Sequence, residues 1–271
     1  MVALTERAFA GRRFEISRVA EQTFSVVKQD FLSNYLIAFV LSAVPAILNF
    51  TLLSSFRLSM TTPNAPRPSI LGLPLFIVGI ATLLFTLVNY SALSWGAIER
   101  LQGRASTVGA RLTAGARALL VLIGVSLLGY LAFIPALLLL VVPALILMTM
   151  WIVVLPVATA ERTGVFATFK RSAALTKGSR WSIFLLLLIV WIIAIIIGVL
   201  SLVLTRAVFG GTGTLFAVQP IGVLGYVGLT IQLLVGAVLR VVFGCGLGAL
   251  YYELQTLKGG FDAKRLSEVF S

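Results

Sequence analysis

The stretch ALLVLIGVSLLGYLAFIPALLLLVVPALILMTMWIVVLPVATA, residues 118–160, contains no charged side chain. As one helix it would run about 65 Å at about 1.5 Å per residue, twice the hydrocarbon core of a bilayer at about 30 Å. It therefore reads as two crossings. Pro143 suits the first turn of the second one, where its missing N–H is not needed. Outward from this stretch, residues 31–56, 68–98 and 181–205 are also free of charge, and 207–252 is interrupted only by Arg240. Each interval accommodates one crossing of about 20 residues. The expectation is an all-α integral membrane fold, one domain over residues 1–271, with spans at about 32–53, 70–95, 118–139, 143–159, 182–204 and 222–251. Composition agrees: 59% of residues are hydrophobic and 11% charged, against roughly 45–50% and about 25% in soluble domains.

Lys and Arg accumulate on the cytoplasmic side of short loops. Placing residues 1–31, 96–117, 160–181 and 252–271 inside puts 17 of the 21 basic residues there, with all nine acids, for a net +8. Both termini of this multi-pass chain are then expected to be cytoplasmic. The opening MVALTERAFAGRRF carries no apolar run after its charges, so the first span is expected to direct insertion. The overall +12 is explained by this asymmetry, which leaves no case for nucleic acid; anionic lipid headgroups are the expected partners of the basic edge. Protein partners and oligomeric state have no signal in the residues. A single cysteine and no histidine argue against disulfides, a His/Cys metal site and any bound cofactor.

Three of the spans return inward and end on an acid: GAIERLQG, TAERTG and YYELQTLKGG place Glu99, Glu161 and Glu253 at equivalent points. A segment with helical spacing precedes each of the other three, at about 14–30, 106–117 and 164–177. Ile16, Ala20, Phe24 and Val27 share a face of the first, Val108, Leu112 and Gly115 one of the second, and Val165, Phe166, Phe169 and Ala173 one of the third. Lys170, Arg171 and Lys177 lie opposite, and Gly178 is placed to cap. The unit reads as an amphipathic cytoplasmic surface helix followed by a spanning hairpin, used three times. A glutamate at a helix C-terminus opposes the helix dipole. Glu99, Glu161 and Glu253 are therefore expected either to be hydrated or to form ion pairs with basic residues of neighbouring surface helices, such as Arg18, Lys28, Arg111, Arg117, Lys170 or Arg171.

PVATAERTGVFATFKRSAALTKGSRWSIF and LGALYYELQTLKGGFDAKRLSEVF together resemble the six-span membrane domain of bacterial glycerophosphoryl diester phosphodiesterases and related stand-alone proteins of unknown function. The matching residues are Pro156, Val157, Glu161, Arg171, Ser172, Thr176, Lys177, Gly178, Trp181, Tyr251, Tyr252, Glu253 and Leu254. The family's catalytic half is a soluble barrel with histidines, which this chain lacks. The resemblance implies membrane placement rather than phosphodiester hydrolysis.

No Asp or Glu falls within an expected span, so neither intramembrane acid–base catalysis nor carboxylate-coupled transport has its residues. No catalytic residue is assigned, and the chain is expected not to be an enzyme. Arg240 is the exception in the interior; a central Arg costs about 2.5–3.5 kcal/mol on insertion scales and must meet a partner. Asn34, Asn49, Asn89 and Tyr90 are the available polar neighbours, unless the helix bends among Gly244, Gly246 and Gly248. Arg240, Lys170, Arg171 and Lys177 are the candidate anion or lipid contacts. The leading expectation is a protein that organises or binds lipid or partner proteins through a basic cytoplasmic face. The alternative is a permease or channel for a lipid or small anion using Arg240. A cavity reaching Arg240 favours the alternative; a dry closed bundle favours the first.

Overall fold

The computed structural model describes residues 14–61, 72–139, 141–209 and 223–269. Every regular element among them is helical: α1 (Ile16–Gln29), α2 (Phe31–Thr61), α3 (Gly72–Leu101), α4 (Val108–Arg117), α5 (Leu119–Leu139), α6 (Val141–Trp151), α7 (Val154–Glu161), α8 (Val165–Thr176), α9 (Arg180–Phe209) and α10 (Val223–Val269). Six helical stretches are long and apolar enough to cross a membrane: Phe31–Leu58, Gly72–Leu101, Leu119–Leu138, Val142–Glu161, Arg180–Thr205 and Val223–Lys258. The chain is a multi-pass helical membrane protein. The connections 62–71 and 210–222, with most of the turn sequences RLSMTTPNAPRPS and FGGTGT, lie outside the described residues, as do the side chains of the closing GFDAKRLSEVF.

Large apolar side chains cover the outside. Trp191, Ile196, Leu200, Leu127, Leu138 and Phe76 are all more than half exposed, a surface that acyl chains rather than water must solvate. Inside, α3 and α10 form the central pair, flanked by α2, α4 and α1. Close approach of the pair depends on glycine. A Cβ at position 248 would sit 2.5 Å from the Ser94 carbonyl oxygen and 2.8 Å from the Ala97 Cβ; one at 244 would sit 2.7 Å from the Leu93 Cβ. The Gly244-x-x-x-Gly248 spacing therefore packs the protein against itself. The helix does not break there: α10 is continuous through all three glycines.

The fourth crossing is broken instead, between α6 and α7. Pro156 has no N–H to offer Ile152, and its ring crowds that carbonyl, so the helix opens into a turn at 152–153. The Met150 carbonyl thus loses its helical partner. It accepts from the Ser172 hydroxyl at 2.9 Å and the Thr176 hydroxyl at 3.3 Å, both on α8.

That docking sets which face of α8 meets the bundle. Its buried residues are Thr168, Ser172, Leu175 and Thr176, while Phe166 is 78% exposed. The other short helices are arranged in the same way. α1 buries Val19 and Val26 and leaves Phe24 70% exposed; α4 buries Arg111, Ala114 and Gly115 and leaves Val108 exposed. Small and hydroxyl-bearing residues decide the buried face because they let backbones approach, whereas bulky apolar residues are equally well placed against lipid. Gly178 has φ +92 just past α8, the left-handed conformation expected of its capping position.

Candidate functional site

The chain ends of α2, α3 and α10 define two sides. At the proximal side α2 begins and α3 ends, beside α1, Glu99, Glu161 and Glu253; the distal side is where α2 ends and α3 and α10 begin. A cavity of about 390 Å³ lies between α2, α3 and α10. Arg57, near the distal end of α2, lines it, as do Asn49, Thr86, Asn89, Tyr90 and Arg240. No acidic side chain does. Below Asn89 and Arg240 the bundle closes on Ala38, Ala92, Leu93, Val241 and Cys245, all wholly buried.

Arg240 lies 17 residues into α10, about 26 Å along its axis and so near mid-membrane. Side chains on a helix lean toward its N-terminus, which carries this guanidinium to the distal side. A Cβ at Gly236, one turn earlier, would lie 2.7 Å from the Arg240 Nη1. Gly236 is thus the seat on which the guanidinium rests. Arg240 makes no hydrogen bond or ion pair with any described residue. Of its four expected neighbours, Asn49, Asn89 and Tyr90 share the cavity with it. Asn34 does not; it is wholly buried further toward the proximal side.

Asn34 belongs to a second cation, whose burial its sequence position gives no hint of. Arg111 on α4 is 1% exposed. It donates to Asn34 Oδ1 at 2.6 Å, Asp30 Oδ2 at 3.0 Å, Ser106 Oγ at 2.9 Å and the Ser106 carbonyl at 3.2 Å. Asp30 also stands 3.6 Å from Arg100. The stem of Arg111 crosses Gly96, where a Cβ would approach its Cδ to 2.8 Å. Glycine one turn or one helix away is the common signal of both seated arginines, readable only once the helices are paired.

The three glutamates have different partners. Glu253, 3% exposed, accepts from Arg18 of α1 at 2.7 Å and from the Gln22 amide at 3.4 Å. Glu161 accepts from Arg171 of α8 at 3.0 Å and from the Tyr251 hydroxyl at 2.9 Å. Glu99 departs from the expected pattern: its partner is Arg104, in the loop five residues on, through two bonds of 2.6 and 2.8 Å. The loop turns back at Gly103, φ +79, which brings Arg104 over the carboxylate before any surface helix can reach it. Hydrogen bonding to the carboxylates raises the pKa of Arg18, with the charge of Glu253 adding to the effect, and likewise that of Arg104 beside Glu99. Arg111 pairs with Asp30 rather than with a glutamate. Lys170 and Lys177 have exposed side chains that form no ion pair among the described residues, whereas Arg171 is committed to Glu161.

Among the described residues no group of three or more His, Cys, Asp or Glu side chains could hold a metal ion. No family model, curated protein or solved structure matches the chain.

Proposed function

We propose that this protein binds an anionic ligand, of the size of a phosphate or a phospholipid headgroup, in the cavity between α2, α3 and α10, with Arg240 as its counter-charge. One observation carries the reading: a guanidinium near mid-membrane, seated on Gly236, faces a cavity that Asn49, Thr86, Asn89 and Tyr90 help to line and no acid does, and makes no bond to any described residue. An Arg at that depth is costly without a partner, and a bound anion supplies one. The reading is of binding, not catalysis, since the chain offers no histidine and no carboxylate in the cavity. Passage to the proximal side would require Ala38, Leu93 and Cys245 to separate, which makes capture, rather than conduction, the function of this conformation. The positive-inside count supports a cytoplasmic proximal side; the resemblance implies a bacterial inner membrane, in which the cavity faces the periplasm. The count equally supports three hairpins, each led by a cytoplasmic helix. The resemblance to the phosphodiesterase membrane domain adds placement to this proposal and no chemistry.

The test is native mass spectrometry of the protein released from nanodiscs containing an anionic and a neutral phospholipid. Arg240→Gln should lower retained anionic lipid about tenfold or more, the scale of a hydrogen bond to a charged group. Gly236→Val, which pushes the guanidinium off its seat without touching the bundle core, should lower it as well. Equal retention by wild type and both variants would refute the reading.

A second reading is favoured by the exposed Lys170 and Lys177, flanked by Phe166 at 78% and Trp181 at 84% exposure. Aromatic and basic side chains together suit a headgroup layer. On this reading the proximal edge attracts anionic lipid, and Lys170→Ala with Lys177→Ala, rather than Arg240→Gln, would release it.

A further inference from the structure

The cavity walls contain more than a positive charge. The Ser42 hydroxyl donates to the Ala38 carbonyl at 2.7 Å, Thr82 to Val78 at 2.7 Å and Ser54 to Thr51 at 3.0 Å. Each proton is thereby used within its own helix, and the oxygens that line the cavity are left as acceptors. Asn89, 2% exposed, spends an amide proton on the Ala38 carbonyl at 3.2 Å. Its Oδ1 is buried and has no hydrogen-bond partner. Asn49, Thr86 and Tyr90 bring further amide and hydroxyl groups to the same wall, but the Asn89 oxygen remains an acceptor without a donor.

We infer that the ligand is a phosphate ester whose own hydroxyl groups donate to Asn89 and the wall oxygens while its phosphate faces Arg240, an inference that rests on the anion reading above. An anion with acceptors only would satisfy the guanidinium but leave the Asn89 oxygen without a donor. A hydroxylated ester satisfies both, and buried polar groups exact a penalty when left unmet. The volume of about 390 Å³ lies within the roughly 300–1,000 Å³ of small-molecule sites. It accommodates a polyol phosphate, whether free or as the headgroup of a lipid whose tails stay outside.

The experiment measures preference within pairs of matched charge, using the full chain in nanodiscs. The lipid arm compares phosphatidylglycerol with phosphatidylmethanol, and the soluble arm compares glycerol phosphate with methyl phosphate. The hydroxylated member should bind about tenfold tighter in one arm, the size of one otherwise unmet hydrogen bond, and that arm identifies the source. Asn89→Leu, and the milder Ser42→Ala should the first fail to fold, should bring the preference toward unity by weakening the hydroxylated ester more than the methyl ester. Equal affinity within both pairs, with Arg240-dependent binding intact, overturns this inference and leaves the anion site standing. A preference that survives both variants also overturns it. Failure of all four probes to bind overturns the anion reading itself, and this inference with it.

Discussion

Replacing Arg111 by Met should destabilise the protein far more than replacing Arg171 by Met, although both are arginines paired to a carboxylate on the same side of the bundle. Arg111 is 1% exposed and makes four hydrogen bonds, so its loss strands Asn34, Ser106 and Asp30 at once. Breaking one partner out of a buried pair costs about 3–5 kcal/mol. Asp30 retains 18% side-chain exposure and a second cation, Arg100, at 3.6 Å, which argues for about 3 kcal/mol, the lower end of that range. The side chains of Arg171 and Glu161 are 40% and 22% exposed, and such pairs contribute between nothing and about 1 kcal/mol. The chain supplies its own reporter: Cys245 is its single cysteine and is wholly buried, so a thiol-reactive dye labels it only on unfolding. Thermal labelling in one detergent should place Arg111→Met about 6 to 10 °C below wild type, taking roughly 2 to 3 °C per kcal/mol. Arg171→Met should fall within about 3 °C on the same conversion. Adding Asp30→Asn to Arg111→Met should recover part of the loss, because the stranded charge is then gone. If Arg111→Met melts with Arg171→Met, burial does not set the weight of these pairs and the reasoning fails.

Gly248→Ala forces a methyl group to within 2.5 Å of the Ser94 backbone oxygen and should cost about 1–3 kcal/mol, while Gly246→Ala meets only Thr23 at 3.7 Å and should be tolerated; the same labelling assay separates them. Ser172→Ala and Thr176→Ala should each be mild, since either hydroxyl can still reach the Met150 carbonyl, but the double variant should lose about 1–3 kcal/mol beyond their sum. Strict additivity in that cycle would show that the broken crossing does not depend on these two bonds.

The number of crossings and their approximate limits were legible along the chain, because the cost of burying charge in lipid empties 20-residue windows wherever a helix spans. The three short helices were legible too, and so was the special status of Arg240, since a lone charge in an apolar run stands out without any knowledge of neighbours. Two of the three glutamates have ion-pair partners of the kind their position led one to expect; Glu99 does not, because a glycine turn returns Arg104 to it first.

What tertiary structure alone decided is which face each short helix buries and where each cation sits. Lipid and protein interior are both apolar, so hydrophobic spacing cannot say which apolar residue faces which; steric fit decides, and it favours Thr168, Ser172, Gly115 and Ala114 over Phe24 and Phe166. Arg111 reads as one of several surface-helix cations that could pair with a glutamate until Gly96, Asp30 and Asn34, from elsewhere in the chain, close around it. Arg240 likewise shares a cavity with Asn49 and Asn89 only because α2 and α3 bring them beside it. A span is a one-dimensional property, set by the free energy of moving each residue from water to lipid. A pocket depends on which helices meet, and that is settled by the shapes of surfaces far apart in the chain.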